Sequence, residues 1–131
     1  MSDRRRRARS GSELERRYGY CRAVAIGDRV IVSGTAPVWP DGSCDPDPGV
    51  QARRCCEIIV TALGELGSSA DEVVRTRMFV TDATISDAVG AAHREFFGVA
   101  DPAATMVVVA SLLDPRWLVE IEAEAYLRND S

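Results

Sequence analysis

The feature that most restricts how this chain can fold lies in its last third, Asp101 to Leu127, which reads DPAATMVVVASLLDPRWLVEIEAEAYL. Val119, Ile121, Ala123, Ala125 and Leu127 alternate there with Glu120, Glu122 and Glu124. Period two places the apolar side chains on one face and the carboxylates on the other, the pattern of a strand. Trp117 and the apolar face put this strand in a packed sheet, where neighbouring like charges cost free energy unless cations face them. Arg75 and Arg77, two apart in a second strand pattern, VVRTRMFV (Val73 to Val80), can supply the cations. The two strands are therefore expected to be close in space. A Glu left over from that pairing would be a carboxylate available for chemistry.

With 131 residues and 46% apolar composition the chain can bury one ordinary core, so a single domain is expected. The cysteines, at 21, 44, 55 and 56, show no CxxC spacing and suggest reduced thiols in a cytoplasm. One histidine and four scattered cysteines give no metal-ligand spacing, so no metal is expected. All 16 basic residues are Arg, which excludes lysine Schiff-base chemistry and pyridoxal phosphate held in the usual way. No cofactor is expected. No apolar run approaches the roughly 20 residues that span a bilayer, and SGSELERRYG follows the basic N-terminus where a signal peptide would have an apolar segment. Neither a signal peptide nor a membrane partner is expected.

Charge divides the chain. Residues 1–17 carry seven Arg against three acids, leaving nine Arg against 17 acids in residues 18–131. RRRRAR could neutralise phosphates as a nucleic-acid arm. The alternative is a disordered, solvated leader with nothing apolar to anchor it, and the acidic body and lack of an adjoining aromatic platform favour that alternative. The expected division is thus a disordered arm over 1–17 and one domain over 18–131.

Beyond the arm, Arg22 to Ile26 and Arg29 to Ser33 flank Gly27-Asp28 and read as a hairpin. Val38 to Gly49, rich in Pro and Gly, reads as a long loop carrying Trp39. From Val50 to Leu66, Ala52, Cys55, Cys56, Ile59, Leu63 and Leu66 recur at helical spacing, with Gly67 as the stop. A second helix is expected over Ser86 to Phe97, capped by Ser86 and ended by Gly98. Strands over Ala104 to Ala110 and Leu118 to Leu127, joined by a loop with Asp114-Pro115-Arg116, complete the order ββαβαββ.

In this order the chain resembles the YjgF/RidA family of reactive intermediate imine deaminases. Gly19-Tyr20, VSGTAP (Val32 to Pro37), VRTRMFVTD (Val74 to Asp82), EFFG (Glu95 to Gly98), DPAAT (Asp101 to Thr105) and VEIEAEA (Val119 to Ala125) carry the resemblance, which spans Tyr18 to Leu127. It implies an α+β, chorismate-mutase-like fold with two helices on one face of the sheet. It also implies a homotrimeric barrel and small-molecule clefts between subunits. In members that hydrolyse amino-acid-derived imines and enamines, a Tyr and an SG segment wall the cleft and a Glu opening the last strand positions water. These match Tyr20, Ser33, Gly34 and Glu120. An Arg in a PARS motif grips the substrate carboxylate, but here the motif reads Pro102-Ala103-Ala104-Thr105, with Met106 where a Cys follows and Gly90 where many members place an Asn.

Ala104 cannot grip a carboxylate. Arg77 could be a substitute anchor, or could only neutralise Glu122 or Glu124. Arg22 and Arg116 are further candidates. His93, three residues after Gly90 and so on the same helix face, could be a general base in the cleft or a hydrogen-bonded helix histidine at a subunit contact. Thr105, Met106 and Trp117 are expected to contact ligand with Tyr20, Ser33 and Gly34. The functional expectations are an imine, enamine or carbonyl hydrolase with weak or absent ordinary 2-iminopropanoate deaminase activity, a non-catalytic trimeric binder, or an RNA-directed role. The acidic body argues against the last.

Overall fold

A computed structural model describes residues 4–127. Six strands form one sheet in the order β1-β2-β3-β6-β4-β5: β1 (Arg6–Ala8), β2 (Ala23–Ile26), β3 (Arg29–Thr35), β4 (Val73–Val80), β5 (Ala103–Val108) and β6 (Val119–Tyr126). All neighbours are antiparallel except β4 and β5. Among the described residues the α-helices are α1 (Glu13–Tyr18), α2 (Pro48–Glu65) and α3 (Ser86–Phe97).

The period-two strand is β6, and it lies at the sheet's centre between β3 and β4. Val119, Ile121, Ala123 and Ala125 are buried, while the intervening Glu residues are only partly covered. The apolar face meets the stripe of α2 formed by Ala52, Cys55, Cys56, Ile59 and Leu63, and Val89, Ala92 and Phe97 of α3 extend this core. The opposite face lacks such a layer, leaving Ile31 and Val107 exposed at 38% and 41%.

Local chemistry explains the boundaries. Asp47 accepts from the Val50 amide at 2.9 Å and Pro48 opens α2, so the helix begins two residues before its apolar repeat. Gly67, just beyond the helix, takes φ +87°, the left-handed turn that ends it. Ser86, the expected cap, is instead the first residue of α3, whose N-cap position is held by Ile85 with no side-chain hydrogen bond. A 3-10 turn over Ala83–Ile85 precedes the helix, and Asp82 caps that turn by accepting from the Thr84 amide.

The expectation of a disordered leader is corrected. Arg6–Ala8 pairs with Ala23–Ala25, Ala8 is buried, and the Arg6 guanidinium donates to the Leu66 carbonyl at 3.1 Å. Helix α1 is capped by Ser12 and ends at Gly19 with φ +77°. Glu15, only 4% exposed, accepts from the Ser10 amide and hydroxyl and faces Arg22 at 4.0 Å. A strand edge needs backbone pairing more than apolar side chains, which is why a run of Arg can occupy one. Residues 1–3 of the expected arm lie outside the described residues.

The carboxylate ladder resolves as the alternation required, with one change of partner. Arg77 stands opposite Glu122 and bonds it at 2.8 Å. Glu124, opposite Arg75, pairs instead with Arg29 of β3 at 3.1 Å. A central strand has cations available from both sides. Both pairs are part-exposed and contribute about 0 to 1 kcal/mol each. Glu120 stands opposite Phe79, away from both cations.

Candidate functional site

Glu120 opens β6 where the β3–β6 ladder changes register between Val32 and Thr35. Its carboxylate lies across Gly34, close enough that a methyl group on that residue would stand 3.3 Å from Glu120 Cδ and Oε2. Only glycine leaves this room freely. Burial raises the Glu120 pKa above its ordinary value, the Arg22 charge opposes the rise, and Glu122 adds to it.

Arg22 is held from several sides. Its amide donates to the Ala8 carbonyl at 2.9 Å and its carbonyl accepts from Ser33 at 3.0 Å. The guanidinium donates through Nη2 to the Gly34 carbonyl and lies over the Tyr20 ring at 5.8 Å. Its Nε is buried with no partner among the described residues, and so is Nε1 of Trp117.

Both donors belong to residues lining one cavity of about 580 Å³, shared with Glu120, Tyr20 and Gly34. The N-terminal segment from Ala8 to Leu14 forms one wall and the outer flank of α2, including Arg54 and Ile58, forms another. Trp39 closes a side, with the Arg54 guanidinium 4.1 Å from its ring centroid and Arg54 Nε bonded to the Val38 carbonyl at 3.0 Å. Gln51, 1% exposed, fastens the two bordering loops. Its amide donates to the Asp45 and Arg116 carbonyls at 2.7 and 2.9 Å and accepts from the Leu118 amide at 2.8 Å.

Of the residues singled out from sequence, Tyr20, Gly34, Trp117 and Glu120 meet at this cavity. Ser33 adjoins it, but its hydroxyl donates to the Cys21 carbonyl at 2.8 Å, and Ser33 lines a smaller groove on the open sheet face with Arg77 and Glu122. Arg77 is thus engaged away from Glu120, and Arg116 bonds Asp114 at 2.8 Å and the Gly42 carbonyl at 3.1 Å. Of the three substitute anchors considered, Arg22 alone lines the cavity. Arg54 and the Ala8 to Leu14 wall were missed, because a polar helix flank and a basic leader carry no periodic signal.

His93 sits elsewhere. Its Nε2 lies 2.7 Å from the hydroxyl of the fully buried Thr76, and its ring packs 5.4 Å from that of Phe97. Thr76 belongs to the helix-covered face of the sheet and Glu120 to the other, so the two expected catalytic groups share no site within one protomer. The i+3 relation to Gly90 identified the helix but not its rotation, which turns His93 onto the sheet. Burial lowers its pKa and favours the neutral ring. On the edge strand β5, Thr105 is exposed opposite Arg77, and Met106 is half-buried opposite Met78 and packs on the core. Ala104 is exposed beside Thr76. The expected site residues therefore separate into one group around Glu120, one along α3 and β5, and Ser33 with Arg77 in the smaller groove.

Comparison with known proteins bears on the family and the fold. The family model described as Endoribonuclease L-PSP matches residues 10–127. The protein SCO2049 of Streptomyces coelicolor is 42% identical over 122 residues, spanning 92% of this chain and 91% of that protein. The 2-iminobutanoate/2-iminopropanoate deaminase of Salmonella typhimurium is 34% identical over 114 residues, 83% of this chain and 88% of the enzyme. The crystal structure of Rv2704 from Mycobacterium tuberculosis, a member of the YjgF/YER057c/UK114 family, superposes with a TM-score of 0.87 at 42% identity, covering 94% of this chain and 99% of that one. With the motifs, the sheet order and these relatives in agreement, the chain belongs to the YjgF/RidA family and has its chorismate-mutase-like α+β fold.

Proposed function

We propose that this protein binds a small metabolite in the cavity around Glu120 and hydrolyses a reactive imine or enamine there. The observation that carries the reading is a half-buried carboxylate, without an ion pair among those described, pressed against Gly34 in a walled cavity. Kinship to an iminobutanoate/iminopropanoate deaminase adds support. In this mechanism ionised Glu120 accepts a proton from water as the water oxygen attacks the imine carbon. Returning that proton to nitrogen gives the carbinolamine, and relay of its hydroxyl proton to nitrogen by way of Glu120 lets the C–N bond break as the carbonyl forms, so that a carbonyl compound and ammonia leave. Tyr20 walls the site with its hydroxyl available to the ligand.

The separate group formed by His93, Ala104, Thr105 and Met106 fits a site completed between copies. Strand β5 is an unpaired edge with Val107 and Val108 exposed at 41% and 57%, a surface that calls for cover. A homotrimer would place the β5 edge of one copy beside the Glu120 cavity of the next. Light scattering at micromolar concentration is expected to give about three times the 14.2 kDa chain mass. A value near the single-chain mass would remove the intersubunit cleft from the proposal.

The same site predicts a departure from the family's best-known activity. With Ala104 in place of the motif Arg, hydrolysis of freshly generated 2-iminopropanoate should be weak, and Ala104→Arg should raise it. A charge-assisted contact of about 1.5 to 3 kcal/mol corresponds to roughly a tenfold to hundredfold gain in kcat/KM. Strong wild-type activity with no gain in Ala104→Arg would overturn this. A second reading, a binding protein without chemistry, is favoured by the same exposed Ala104 and by the engagement of His93 with Thr76. It predicts no hydrolysis of any imine.

A further inference from the structure

We infer that Glu15 is a positioning residue for the proposed reaction, one that acts through Arg22 by engaging its guanidinium and so leaving Glu120 free as the base. The inference rests on the function proposed above and adds to it a buried carboxylate that the mechanism does not otherwise use. Burial is the first argument. A carboxylate withdrawn from water is costly unless hydrogen bonds and an opposite charge answer it. Glu15 is 4% exposed, although Glu13, Arg16 and Arg17 of the same short helix stay in water. Ser10 supplies the hydrogen bonds through its amide and its hydroxyl. The charge comes from Arg22, whose Nη1 stands 4.0 Å from Glu15 Oε2 and whose side chain is itself only 11% exposed.

The count of charges is the second argument. Arg22 is one cation for two carboxylates: it pairs with Glu15, while its charge is also felt at Glu120, which enters no ion pair among those described. A cation committed to Glu120 would hold that carboxylate ionised and make it a poor acceptor of a proton. Engaged by Glu15, Arg22 leaves Glu120 with most of the proton affinity that burial confers. Were Glu15 neutral, Nη1 would lose its carboxylate while Nη2 stayed tethered to the Gly34 carbonyl, beside Glu120. The other charged and titratable groups around Glu120 do not take this part. Glu122 is bonded to Arg77, and Arg54 to the Val38 carbonyl and, at 3.6 Å, to Glu57. Arg9, Glu65 and Tyr20 line the cavity, and Cys55 lies on the helix-covered side of the sheet.

Carbon-13 NMR titration of the Glu120 carboxyl in the full chain tests this without reference to turnover. Glu15→Gln keeps the shape and an acceptor for Ser10 but not the charge. At the pH where Glu120 is half ionised in the wild type, this variant should raise the ratio of ionised to protonated Glu120 by at least about threefold. Glu15→Asp, which restores the charge, should return the ratio toward the wild-type value. In an Arg22→Gln background Glu15→Gln should change nothing, because the effect runs through Arg22. The double variant removes both members of the buried pair and leaves neither charge unmatched, so its comparison with Arg22→Gln carries the test where Glu15→Gln alone does not fold. A residue that only supported the fold would lower stability without moving the ratio. An unchanged or lower ratio in Glu15→Gln, or a rise of the same size in the Arg22→Gln background, would overturn the inference. The expected rise with no hydrolysis of any imine would leave the role of Glu15 toward Arg22 and Glu120 standing and remove the hydrolase function instead.

Discussion

Glu120→Gln should lower kcat/KM for imine hydrolysis by about 10²- to 10⁴-fold, the range lost with a positioned general base. The amide retains the shape and the contact with Gly34 but cannot take a proton. In the wild type, activity should rise with pH through the raised Glu120 pKa and level off above it, because the acting form is the carboxylate. Arg22 opposes that rise, so Arg22→Gln should move the limb to higher pH, a change that simple loss of structure would not produce. Stability should run the other way. Folded Glu120 holds its proton to higher pH than the unfolded chain does, so its contribution to folding is present below the ordinary carboxylate pKa and is lost as pH rises through the folded value. Glu120→Gln should therefore match or exceed wild-type stability at neutral pH. Undiminished turnover in this variant would refute the assignment of Glu120.

The largest expected effect on folding is at Phe97. It ends α3, is 0% exposed, and stands with its ring centroid 5.4 Å from His93 and 6.3 Å from Phe96. Phe97→Ala removes a whole aromatic ring from the layer between α3 and the sheet and should cost about 3 to 5 kcal/mol. Against a typical stability of roughly 5 to 15 kcal/mol, this is a large share of the total. Urea unfolding followed by circular dichroism would measure it. A cost below about 1 kcal/mol would mean that the layer closes around the missing ring.

The fold was legible where one period dominated. β6 announced its two faces by strict alternation, and the three-and-four spacing from Ala52 to Leu66 gave α2 its buried stripe. The N-terminal segment was not legible, because β1 contributes only Ala8 to the core and is held by backbone pairing and the Arg6 to Leu66 bond. Glu15 breaks the usual rule that carboxylates stay in water, since its partners Ser10 and Arg22 come from segments that no local pattern connects. At the site, the count of carboxylates against cations said only that one Glu would be left over, and the resemblance to the family singled out Glu120. His93 could not be placed, since a helical repeat assigns a face to within about one residue's rotation. Trp39 was noticed, but its pairing with Arg54 joins a loop to a helix flank and follows from the tertiary path alone.

The position of β6 has a temporal meaning as well. It is the hydrogen-bonding bridge between β3 and β4, yet it is the last of the six strands in chain order, and its pairing Arg29↔Tyr126 joins residues almost a full domain apart. As the chain leaves the ribosome, β1 to β3 can form a meander and β4 and β5 can join across α3, but no strand bridges the two halves of the sheet. Contacts this distant in sequence make folding slow relative to local structure. Until Val119–Tyr126 is available, the flanks of β3 and β4 stay open, and Glu120 arrives in the same step that joins them. The candidate site thus comes into being with the closing of the sheet, so a chain stalled before its last strand has neither a complete core nor a cavity.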